Sequence, residues 1–235
     1  MSAVVFDAAA AGRRSSTGPE ASRSGDVQAL TTIRRIVVAG AKGGQGTTTV
    51  AAAIAVVAAG HRPTRLMTSD PGAAAAVLGM TVPVGRALPS TPVVERLELA
   101  TELVDDDAFT VVDAGRIEQF PASEVRVIAV AVVRGPCYLA LRCLVGASGP
   151  QPDGIVLVRE PGRSLTATDV EDVTGVPVFV TVDVSPIVAR TIDAGLLVAR
   201  LHHLDEFNAL RRWTTRQLTP NRQRPARPQP ARMAL

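Results

Sequence analysis

The stretch GAKGGQGTTT, residues 40–49, packs four glycines, one lysine and three consecutive threonines into ten positions. That set can grip an anion. Glycines let successive backbone N–H groups turn inward around a phosphate. A helix starting directly after them adds free N–H groups and the positive end of its dipole. A threonine hydroxyl at the helix start can ligate Mg²⁺. Gly43, Gly44, Gln45, Gly46, Thr47, Thr48 and Thr49 are therefore the candidate phosphate-binding residues. Lys42 is one of 25 basic residues and the only lysine among them. A chain that otherwise uses arginine keeps a compact, flexible point charge at one place, which a planar guanidinium does not replace. Asp70 and Asp113 are the acids best placed to join this chemistry, because each follows an aliphatic run.

These residues need elements to hold them. Ile36–Ala39 reads as a buried strand feeding the glycine turn, and Thr48–Ala59 as an Ala/Val helix closed by Gly60. Arg65–Ser69 reads as the next strand, followed by Asp70-Pro71-Gly72 and an Ala-rich helix to Leu78. Residues 79–104 are broken by three prolines, with one strand expected over Leu97–Leu103. Phe109–Val112 is a strand ending on Asp113, and Val125–Val133, the longest aliphatic run, a central strand. Tyr138–Val145 and Leu165–Val173 read as helices, the second capped by Thr166 or Thr168. Ile155–Val158 and Val176–Val182 read as strands. Pro186 starts a further helix, and a last one covers Leu204–Leu218. Aliphatic strands alternating with helices predict an α/β fold, a doubly wound, mostly parallel sheet with helices on both faces. Ligands of such sheets bind at the carboxyl ends of the strands, where Gly40, Asp70 and Asp113 fall.

Residues 31–203 form the expected domain and 204–218 a C-terminal helix. Residues 1–30 read as a disordered leader, and 219–235 as a basic Pro/Arg-rich flexible tail. The 235 residues suit one α/β core, and hydrophobic residues make up 46% against 3% aromatics. So few rings exclude a base-stacking surface for single-stranded nucleic acid. The net charge of +3 is uneven: seven arginines and no acid follow from Arg211 onward, leaving −4 for the rest. Cys137 and Cys143 read as reduced thiols, and the sequence shows no Cys/His metal cluster. No signal peptide and no membrane-spanning run is read, which sets the expectation of a cytoplasmic chain. Tyr138 and Arg142 read as surface or packing residues, and so does the pair His202-His203.

The loop AKGGQGTTT resembles the deviant Walker-A loop of the ParA/MinD ATPases, usually KGGxGKTT. The resemblance covers about residues 33–200. It places Lys42 on the family's signature lysine, Thr48 on the Mg²⁺-binding hydroxyl and Thr49 on the next threonine. It also places Thr47 where the family has its phosphate-loop lysine. Threonine supplies only a neutral hydrogen bond there. MTSDPG is similar to the family's DxDPQ switch, with Asp70 on the second aspartate and Thr68 replacing the first. Asp70 is equally explained as a helix cap in an Asp-Pro-Gly turn. FTVVDAG resembles the Walker-B strand, which makes Asp113 the acid near Mg²⁺. GVPVFVTVDVSPIVARTIDAG is similar to the stretch that approaches the base in MinD. Actinobacterial MinD-like proteins with trimmed loops, some associated with pilus assembly, are the nearest type.

The resemblance implies ATP, bound weakly, and Mg²⁺ as cofactors, with Lys42 and Asp70 as the catalytic residues. It implies a switch for intracellular positioning that clamps ATP in a nucleotide-dependent homodimer, with a secretion or pilus-assembly ATPase as a partner. The alternative is a non-hydrolysing adaptor on the same fold. A dinucleotide-binding oxidoreductase fits poorly, because the loop is not G-x-G-x-x-G. At the C-terminus, Leu204, Phe207, Leu210 and Trp213 recur at spacing three beside Arg211, Arg212 and Arg216. An amphipathic basic helix of this kind can lie on an anionic membrane. The favoured reading instead packs it on the sheet with its arginines solvated. The arginine tail also suits salt-sensitive, non-specific DNA contact.

Overall fold

A computed structural model of the chain describes residues 33–81, 90–104, 106–116, 127–135, 137–147 and 149–219. The leader expected over 1–30 lies outside the described residues, as does the tail beyond Thr219.

Eight strands form one sheet: β1 (Arg35–Gly40), β2 (Thr64–Thr68), β3 (Ser90–Val94), β4 (Leu97–Ala100), β5 (Phe109–Arg116), β6 (Val127–Arg134), β7 (Gly154–Arg159) and β8 (Val178–Asp183). Their order is β3-β4-β2-β5-β1-β6-β7-β8. All neighbours pair in parallel except β3 with β4. The helices are α1 (Thr47–Ala59), α2 (Pro71–Leu78), α3 (Tyr138–Val145), α4 (Ala167–Thr174), α5 (Pro186–Asp193), α6 (Leu197–Arg200) and α7 (Asn208–Leu218). This is the doubly wound α/β architecture that the alternation of strands and helices implies.

Side chains alternate across the sheet. Ile128, Val130 and Val132 of β6 join one core with α1, α2, α5, α6 and α7, whereas Ala129, Ala131 and Val133 join another with α3 and α4. Helices therefore cover both faces. Helix α1 is apolar all round, and Ala51 to Ala55 are fully buried. A helix like that must be enclosed, and its alanines let the sheet, α2 and α7 approach closely.

Several element boundaries differ from the sequence reading. β3 was not expected. It is an edge strand joined to β4 by a two-residue turn, and only an edge accommodates Pro92. β4 stops at Ala100 rather than Leu103. β5 runs three residues beyond Asp113, and α1 starts at Thr47 rather than Thr48. Of the two cap candidates, Thr166 caps α4, in a reciprocal capping box with Asp169.

At the C-terminus the helix starts later than Leu204, and of the two readings of its apolar face the packed one is observed. A 3₁₀ turn at Asp205–Phe207 precedes α7, and Leu204, Phe207, Leu210 and Trp213 are at most 4% exposed. The apolar face read as available to a membrane lies inside the main core. Trp213 stacks on Phe179 of β8, with centroids 5.9 Å apart, and Phe179 fits only because Gly154 of β7 has no Cβ to meet its ring. Helix α7 is thus part of the domain, with its arginines on the outer side. Trp213→Ala is expected to cost about 3–5 kcal/mol of stability. Urea unfolding measures it, and a loss under about 1 kcal/mol would mean that α7 is not core.

Candidate functional site

β1 lies between β5 and β6, and the loop at residues 41–46 leaves its carboxyl end. Gly46 is in the left-handed region at φ 84° and serves as the N-cap of α1 without a side-chain hydrogen bond. The first amides of α1 are therefore not capped by that residue. A Cβ at Gly43, Gly44 or Gly46 would meet nothing within 4 Å. The backbone of the loop is bare toward solvent, as an anion cradle requires. Beneath the loop space is tight: a Cβ at Gly40 would sit 2.7 Å from Thr47 Oγ1 and 3.0 Å from the Lys42 carbonyl oxygen. Thr47 is 8% exposed, and its hydroxyl packs against the end of β1.

Gln45 has a task that the sequence did not reveal. It is 4% exposed, and its Oε1 accepts the backbone N–H of Arg134 at 2.9 Å. Its side chain ties the loop to the end of β6, leaving only its backbone to join an anion site. Thr48 and Thr49, at the start of α1, are partly exposed.

Asp113 stands level with Val38 of β1 and Thr68 of β2 in the parallel registers. It is 4% exposed, and both oxygens are engaged by neutral donors: Oδ1 accepts the Gly115 N–H at 3.1 Å, and Oδ2 the Thr68 hydroxyl at 3.3 Å. No cation neutralises it among the described residues. A buried carboxylate at the ends of the strands, beside a threonine-headed helix, offers the hard oxygen donors that Mg²⁺ takes. Among the described residues no group of three or more His, Cys, Asp or Glu could hold a metal.

Asp70 is exposed, and its Oδ1 accepts the Ala73 N–H at 3.0 Å. It is the N-cap of α2, with Pro71 in the first turn. Its own N–H donates to the Thr68 hydroxyl at 3.1 Å, so Thr68 links Asp70 to Asp113. The sequence offers Thr68 only as a replaced aspartate; its buried hydroxyl, held between the Asp70 N–H and the Asp113 carboxylate, makes it a fixed part of the site.

The ends of β6, β7 and β8 carry ion pairs that the sequence reading missed. Arg134 Nε meets Glu160 Oε1 at 2.9 Å, and Arg163 meets Oε2 at 3.3 Å. Arg159 and Asp183 form a two-pronged pair at 2.6 and 2.9 Å. All five side chains are part-exposed, so each pair contributes little to stability. Cys137 follows β6 as the N-cap of α3. Its thiol is held below its ordinary range, chiefly by the Ala140 N–H, with smaller help from Leu139 N–H, Lys42 and Arg163. Iodoacetamide should therefore label Cys137 with a midpoint below that of a free thiol. Removing a nearby cation favours the neutral thiol, so Lys42→Ala should raise that midpoint. An unchanged midpoint would place the Lys42 ammonium away from Cys137.

MinD from Pyrococcus horikoshii, solved as a complex with Mg-ADP, superposes with a TM-score of 0.61, at 18% identity, over 79% of this chain and 96% of that one. The fold is that of the ParA and MinD ATPases. A ParA family ATPase from Chlorobium tepidum has a TM-score of 0.55 at 13% identity, covering 78% of this chain and 98% of that one. The ATP complex of McdA from Cyanothece gives 0.57 at 13% identity, covering 80% and 97%. No family model and no curated protein matches the sequence. The ParA/MinD fold is thus retained at identities where likeness speaks for architecture.

Proposed function

We propose that this chain is a ParA/MinD-like nucleotide-binding switch for intracellular positioning that binds Mg-ATP weakly and hydrolyses it slowly. The observation that carries the reading is the bare glycine loop and uncapped start of α1, set at the strand ends beside buried Asp113. In that arrangement the amides of Gly43, Gly44, Gln45 and Gly46 hold the phosphates. Thr48 and Asp113 hold Mg²⁺, which when bound neutralises phosphate charge. Thr68 orients Asp113 through its hydroxyl. Asp70, whose backbone N–H meets the same hydroxyl, is the candidate to position an attacking water.

Thr47 supports the second reading, an adaptor that binds nucleotide without turnover. Its hydroxyl packs under the loop at Gly40. A lysine's charge is absent from a partly dry site, which costs about 2–3 kcal/mol of transition-state stabilisation, on the order of a hundredfold in rate. Calorimetric titration with ATP and ADP, with and without Mg²⁺, tests the first reading, which expects weak, Mg-dependent binding. Hydrolysis as fast as in a full-motif relative, unaffected by Asp113→Ala, would sink it.

Lys42 is half-buried and precedes the glycine pair of the loop. We assign it a role across a nucleotide-dependent dimer, reaching the partner's phosphates. Affinity should then rise with protein concentration. Light scattering with and without Mg-ATP, on the natural chain and Lys42→Ala, checks this. A monomer at saturating nucleotide that still needs Lys42 would place the lysine over its own loop.

A further inference from the structure

The far end of α1 carries a second site. A cleft of about 700 Å³ opens between the end of α1, α6 and α7. Helix α1 has 13 residues, so this cleft is about 20 Å from the phosphate loop along its axis. Its apolar lining comes from Val56, Val57, Val198 and Leu201. Its polar walls carry His61, His202, Arg211, Arg212 and Arg216, and no carboxylate among the described residues lines it.

Three arginines line this cleft together, whereas five others in the domain are paired with acids. Arg34, Arg65, Arg134, Arg159 and Arg163 each meet a carboxylate. Arg211 instead donates to the His202 carbonyl at 2.8 Å and to the Asn208 side-chain oxygen. Neutral acceptors fix its guanidinium, and among the described residues no carboxylate pairs with it directly. Arg212 and Arg216 are exposed, with no ion pair among the described residues. The sequence concentrates the same charge: seven arginines without an acid from Arg211 onward, against −4 for the remainder.

We propose that this cleft docks an acidic, partly apolar peptide segment of a partner protein. Guanidinium groups pair with carboxylates through two parallel hydrogen bonds. An apolar floor takes one or two aliphatic or aromatic anchors, as in helix-in-groove recognition. Nucleic acid would use the arginines but not the floor, because phosphate contacts carry no apolar component. The concave shape and mixed lining therefore favour a peptide. The positive field steers an acidic segment toward the cleft.

Fluorescence anisotropy on the full chain tests this. The probes are labelled peptides of about fourteen residues, one built of Glu and Leu and one of Glu and Ser with equal charge. The Glu/Leu peptide should bind at least about tenfold more tightly. Arg212→Glu with Arg216→Glu should weaken it by about tenfold or more, with the melting temperature unchanged because both side chains are exposed. Val57→Asp, which places a charge in the floor, should weaken Glu/Leu binding more than Glu/Ser binding. Equal affinity for the two peptides would overturn the proposal, since the arginine tail alone would explain it. Full binding by the double variant, or no binding by the natural chain, would overturn it too. So would tighter binding of a DNA duplex or of anionic vesicles that is lost in the double variant.

Discussion

Thr47→Lys is expected to tighten Mg-ATP binding by about thirty- to hundredfold. The substitution returns one positive charge to a cradle made only of amides and hydroxyls. At about 4 Å and an effective dielectric near 20, a charge pair is worth about 4 kcal/mol. Desolvating the ammonium and ordering its chain offset part of that, leaving about 2–3 kcal/mol, and each 1.36 kcal/mol is tenfold. Thr47 is at the first position of α1, where a long side chain can leave the tight space beside Gly40 and turn out over the open loop. Thr47→Met separates charge from length, and it should not tighten binding. Titration calorimetry at one ionic strength reads both variants. A folded Thr47→Lys chain that binds no better than the natural one would mean that the loop does not cradle phosphate.

Gly79→Ala is expected to destabilise the chain by about 3–5 kcal/mol, far more than its exposed position suggests. Gly79 caps α2 at φ 74°, and Gly195 follows α5 at φ 65°. The two backbones touch: a Cβ on Gly79 would sit 2.1 Å from the Gly195 carbonyl oxygen. A methyl group cannot enter without parting α2 from the α5–α6 turn. Gly162→Ala is the control, since its φ of 76° is nearly the same but a Cβ there meets nothing within 4 Å. That variant should lose only about 1 kcal/mol, the strain of the conformation itself. Chemical denaturation of both gives the difference. Equal losses would show that contact with Gly195 is immaterial.

The alternation of aliphatic runs made the parallel sheet legible, because β6 and β7 are buried on both faces and leave no polar position to blur them. The glycine loop was legible because an anion cradle needs bare backbone at fixed spacing. β3 was not, since an edge strand needs neither continuous burial nor freedom from proline. The role of Gln45 was hidden because its partner, the Arg134 amide, is 89 residues away. The same holds for the Thr68 hydroxyl on Asp113, 45 residues apart. The C-terminal helix left two readings open for another reason. Its apolar face is equally suited to lipid or to protein, and only the position of Phe179 and α1 decides between them.

Helix α1 is synthesised early and encloses its alanines only when α7 arrives. His61 and Thr215, which touch at 3.3 Å, are 154 residues apart in the chain. Contacts of such separation slow folding, because the intervening loop must close before they are formed. A nascent chain lacking Phe207, Leu210 and Trp213 leaves the outer side of α1 open to water and to other chains. Folding is therefore completed after nearly the whole described domain has been made. A chain stopped at residue 203 should aggregate rather than yield a smaller stable domain.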